Sequence, residues 1–132
     1  GYAIPDPLEG FELLDMTVYD EGSQFFFAAK DSFSLVGYLS CYFVTVITEP
    51  DLELDLFEDE EDMEFESIRV NGFSGLLCEK EEPGLRWIHV LYGDPKTGYL
   101  IWLFGADMTE RPRGVDRDFL LSLAEQIEYV GE

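Results

Sequence analysis

One histidine, two cysteines and eight basic residues are all that 132 residues hold of several chemically useful types. His89, Cys41 and Cys78 fall short of the four nitrogen and sulfur ligands that a structural zinc site takes. Two cysteines are also too few for a disulfide framework. Both lie in strand-like segments, where one buried disulfide and two buried thiols are equally open. Basic residues are outnumbered 8 to 29, a formal net charge of −21. A chain this acidic repels nucleic acid and anionic lipid head groups, and no basic patch with interleaved aromatics is present. Long apolar runs are missing too. The longest, Phe33 to Ile47, is interrupted by Ser34, Ser40 and Thr45 and is shorter than the roughly 20 residues of a membrane span.

What is present is material for a core: 46% of the residues are hydrophobic and 15% aromatic. Residues 1–132 read as a single domain, able to bury roughly two thirds of the surface its unfolded chain exposes. The charge is uneven. Residues 1–66 hold 18 acids and one base, Lys30, whereas residues 67–132 hold 11 acids and 7 bases. The start, Gly-Tyr-Ala without methionine, fits a piece of a longer protein with a further segment, such as an anchor, upstream.

The stretch from Ser67 to Phe104 organises the rest, since it reads as consecutive strands separated by turns. Asn71-Gly72 is the strongest turn signal, because both residues tolerate positive φ; it predicts a hairpin of Phe65–Val70 with Phe73–Lys80. In the next strand Leu85, Trp87, His89 and Leu91 share one face, and Ile88, Val90 and Tyr92 the other. Tyr99 to Phe104 is apolar on both faces, as a covered central strand is. Upstream, Phe11–Tyr19, Gln24–Ala29 and Phe33–Ile47 read as added strands, the last as one long strand or a bent pair with Gly37 at a bulge. Downstream, Asp116 is a plausible N-cap for a helix with Phe119, Leu120, Leu123, Ala124 and Ile127 on one stripe, ended by Gly131. The expected fold is α+β: a curved antiparallel sheet of about six or seven strands with one C-terminal amphipathic helix packed on a face. One helix covers only part of such a sheet, so the other apolar face needs curvature, an N-terminal element or a partner.

Residues 49–66 are the most biased segment, with 11 acids and no base. Asp51 to Leu56 alternates like a strand with one wet face. Glu58, Asp59, Glu60, Glu61 and Asp62 form an unbroken acidic run, which should stay solvated and is the candidate interaction surface. Asp51, Glu53, Asp55, Asp59 and Asp62 approach the spacing of a calcium-binding loop, but Leu56 stands where the sharp turn needs glycine and no helices flank it. A solvated acidic surface is the better reading, and no metal or cofactor is expected. Gly72-Phe73-Ser74-Gly75 is one residue short of a nucleophile elbow and lies in a hairpin. His89, the one candidate base, is placed mid-strand beside Trp87. Trp87, Trp102 and the tyrosines could line a groove, though core is the commoner fate of such residues. No catalytic set emerges. Perturbed carboxylates, or His89 at the floor of a deep pocket, would point to an enzyme instead.

Several segments carry a resemblance. They are Pro7-Leu8-Glu9-Gly10-Phe11-Glu12-Leu13, then Ile68 to Lys80, Leu85-Arg86-Trp87, Gly98 to Gly105 and Phe119 to Ile127. In that order the chain resembles a bacterial family of unknown function, found mainly in Gram-positive bacteria. There the domain follows a single transmembrane helix, outside the membrane, and some members are described as anti-sigma factors. The shared positions are turns and core, so no catalytic residue carries over. The acidic run and the long loop at Asp107–Gly114 depart from the family pattern. The resemblance implies a non-catalytic extracytoplasmic sensing or interaction domain of a membrane-anchored protein, with an unknown protein or envelope ligand as partner. It touches the membrane only through an upstream anchor. That location permits a Cys41–Cys78 bridge. The alternative is a soluble acidic inhibitor or immunity-type protein that binds a basic partner.

Overall fold

The computed structural model describes residues 2–20, 22–35, 37–47, 65–82, 85–94, 99–108 and 114–129. Seven strands form one antiparallel sheet: β2 (Glu12–Tyr19), β3 (Gly22–Ala28), β6 (Ser40–Ile47), β7 (Phe65–Val70), β8 (Phe73–Glu82), β9 (Leu85–Asp94) and β10 (Tyr99–Asp107). Their order is β2-β3-β6-β10-β9-β8-β7. Strands β7 to β10 are thus a meander, and the upstream strands add to its β10 edge. Short pairs complete the chain: β1 (Tyr2–Ala3) with β11 (Glu128–Tyr129), and β4 (Phe33–Ser34) with β5 (Gly37–Tyr38). One helix, α1, spans Arg117–Gln126.

Local chemistry explains these elements. Asn71 and Gly72 take φ of 51° and 87°, the positive pair that a two-residue hairpin turn between β7 and β8 requires. Tyr99–Asp107 lies fourth of seven, where a strand apolar on both sides belongs. The Asp116 carboxylate accepts the Phe119 N–H at 2.9 Å and caps α1. Arg117 in the first helical turn is unfavourable to the helix dipole, but it pairs with Glu66 at 2.7 Å and Glu79 at 3.4 Å and so ties the helix to β7 and β8.

Helix α1 packs over Gly105 of the central strand. A Cβ there would lie 2.6 Å from Val115 Cγ1 and 3.1 Å from Leu120 Cδ1, so the missing side chain lets the helix approach. Leu120, Leu123, Ala124 and Ile127 meet Val44, Val90, Ile101 and Leu103 in the main core. Two tyrosines fasten its margins. The Tyr92 hydroxyl donates to the Ala124 carbonyl at 3.0 Å, and the Tyr42 oxygen accepts the Leu8 N–H at 3.0 Å. The Tyr42 ring stacks on Phe27 at 4.7 Å and meets Phe119 edge-on at 5.0 Å.

One expectation needs correction, the end of the helix, and two readings left open are decided. Phe33–Ile47 is not one strand: the chain makes the β4–β5 hairpin first, pinched at its base by Ser32. The Ser32 hydroxyl donates to the Ala29 carbonyl at 2.6 Å and accepts the Ser40 N–H at 3.2 Å. The helix ends at Gln126, well before Gly131, because Glu128 and Tyr129 turn extended to pair with Ala3 and Tyr2. Cys41 and Cys78 are free and buried. They sit on β6 and β8 with β10 and β9 between and two residues out of register, so they are more than about 14 Å apart at strand spacing, over twice the reach of a disulfide. The permitted bridge is not made.

Candidate functional site

Side chains alternate across the strands, so the sheet has a helix face and a helix-free face. On the latter, pairing places Phe26, Phe43, Phe104 and His89 side by side on β3, β6, β10 and β9. The rings touch in sequence: Phe26 and Phe43 stack at 4.6 Å, Phe43 and Phe104 tilt at 6.1 Å, and Phe104 and His89 tilt at 4.6 Å. The next row adds Gln24, Thr45 and Trp102. Together Gln24, Phe43, Thr45, His89, Trp102 and Phe104 line an open groove of about 270 Å³. All six are half-buried. The face is closed in places, since Cys78 and Leu91 are buried and Tyr38 packs on Phe26.

The polar contacts are specific. Trp102 Nε1–H donates to His89 Nδ1 at 3.0 Å, reaching diagonally across the β10–β9 pair. With Nδ1 accepting, the neutral imidazole carries its proton on Nε2. Burial pushes the His89 pKa down to about 4, so the ring is neutral near pH 7. Gln24 Nε2 donates to Thr45 Oγ1 at 3.3 Å. The groove thus presents aromatic faces and uncharged polar atoms.

The arrangement is poor for catalysis. A base with a pKa near 4 has little basicity at neutral pH. Ser74 lies on the same face but four residues along β8 from Cys78, the register partner of His89, or about 13 Å away. The near-elbow at Gly72–Gly75 and the histidine are therefore not brought together. Burial, then the charge of Asp107, raises the Cys41 thiol to about 11, which keeps it protonated and unreactive. His89 does line a pocket with a strongly shifted pKa, but the pocket is an open groove and the shift favours the neutral ring. Among the described residues, no group of three or more His, Cys, Asp or Glu is placed to hold a metal ion. No described helix is long and apolar enough to cross a membrane.

Glu58 to Asp62, the acidic run expected to form the interaction surface, lies outside the described residues, as do Asp51, Glu53 and Asp55. Of the groove residues, the sequence singled out His89 and Trp102; Phe104 shares the strand of Trp102, and Gln24, Phe43 and Thr45 come from two other elements of the reading. Thr45, His89 and Trp102 each stand between two buried aliphatics, an alternation visible in the sequence. The strand order that unites them is not.

Compared with protein-family models, curated proteins and solved structures, the chain matches none.

The groove's protonation state is directly testable. A residue-specific NMR titration should show His89 neutral down to about pH 5 and titrating near 4. Its unfolded-state pKa is about 6.5, so the unfolded chain binds the extra proton first. His89 therefore lowers stability as pH falls from about 6.5 to 4 and has no such effect above that window. A midpoint at 6.5 would contradict the burial of the ring.

Proposed function

We propose that this chain is a non-catalytic sensing or interaction domain of a membrane-anchored bacterial protein, facing outside the membrane. The observation that carries the binding role is the aromatic groove on the helix-free face. Half-exposed rings gathered from four strands are an expensive way to finish a monomer's surface and a usual way to build a recognition site. The location rests on the family resemblance alone. A second reading, an acidic inhibitor of a basic partner, is favoured by the net charge of −21.

Location separates the two readings. Leu35 is fully exposed, and Cys41 and Cys78 are buried. Leu35→Cys in the full-length protein should react with a membrane-impermeant maleimide on intact cells, while the parent stays unlabelled. Labelling only after lysis would place the domain inside and favour the inhibitor.

The binding role makes a separate prediction about stability. If Phe43 serves recognition, Phe43→Thr keeps strand propensity and should cost only about 1 kcal/mol, against about 3 kcal/mol for Leu103→Ala in the main core. Denaturant unfolding measures both. Equal losses would make the groove ordinary core and remove the basis of the reading.

A further inference from the structure

We infer that the groove receives an arginine side chain from a basic polypeptide partner; this rests on the groove being a recognition site. Three observations converge on a guanidinium. The rings of Phe43, Trp102 and Phe104 line the groove, and a planar, weakly hydrated cation packs well against aromatic rings. Beside the Nε2–H of His89, the groove's polar atoms include an acceptor for a guanidinium N–H. Gln24 uses its amide nitrogen on Thr45, which leaves its carbonyl oxygen for a donor, and His89 contributes no positive charge at neutral pH.

Charge complementarity is the third. No lysine or arginine lines the groove, and the chain carries 29 acids against 8 bases. Exposed Asp15 continues the Phe26–Phe43 row on the same face, about 10 Å from Phe43 at strand spacing, while the bases of that face, Lys80 and Arg69, stand on β8 and β7 outside the groove. A basic segment is thus drawn in by the long-range field and held by stacking at short range. The same charge disfavours a second copy of this chain, which would bring another −21 to the face.

The test uses blocked peptides with one central residue between glycines: arginine, its neutral isostere citrulline, or lysine. Binding is followed by NMR at the Trp102 indole N–H and at the Phe43 and Phe104 ring signals, in low salt. The arginine peptide should shift these signals saturably, with at least ten-fold weaker binding by the citrulline peptide and weaker binding by lysine. Phe43→Thr, which leaves the net charge unchanged, should abolish the groove shifts. Equal binding of arginine and citrulline peptides would overturn the arginine assignment while leaving the groove a recognition site. Equal binding by lysine, or arginine binding unaffected by Phe43→Thr, would reduce the effect to charge and also overturn it. So would groove signals unmoved by any peptide, or shifts that appear on concentrating the protein alone and assign the face to a second copy. Failure of the groove itself is read separately, from the stability of Phe43→Thr.

Discussion

A mismatch between sheet and cover governs this structure. Seven strands present two broad faces, the central strand β10 is apolar on both, and the described residues offer a single ten-residue α-helix to cover them. Burying apolar surface is worth roughly 25 cal/mol per Å², so the side the helix takes becomes the main core. Gly105 decides where it docks, by removing the one side chain that would hold Val115 and Leu120 away from the sheet. Arg117 and Tyr92 then fix its orientation through the carboxylates of Glu66 and Glu79 and the carbonyl of Ala124. The second face buries a smaller cluster around Ala28, Cys41 and Ala106 and leaves rings and polar atoms half-buried beside it.

That second face is where function is best sought. Its aromatic row is continuous across four strands, and its one imidazole is held neutral by burial and oriented by an indole. Such a surface suits recognition by stacking and shape, and it gives chemistry little to work with. For the proposed cationic partner, the chain's acidity would supply attraction at long range and the rings contact at short range.

The sequence made the local rules legible. Asn71-Gly72 specified a hairpin because few residue pairs accept two positive φ values, and Asp116 marked the helix start because its carboxylate can take an orphan N–H. Two-residue alternation sorted the faces of β9 correctly. What it did not reveal depended on distant partners. The pairing of Glu128 and Tyr129 with a strand over a hundred residues away shortened the helix, and Ser32 pinched off a hairpin that periodicity read as part of one long strand or a bent pair. The separation of Cys41 from Cys78 and the assembly of the groove both follow from strand order, which no local pattern encodes. The acidic run drew notice for its charge, whereas the groove's residues look individually like core.

The rings of the helix-free face lie open to solvent in the free protein, and hydroxyl-radical footprinting is the sharpest check of that. Phe43 and Phe104 should be oxidised readily, while Phe27, stacked on Tyr42 in the main core, stays protected. Protection of Phe43 and Phe104 equal to that of Phe27 would contradict the account, because the face would then be closed in the free protein.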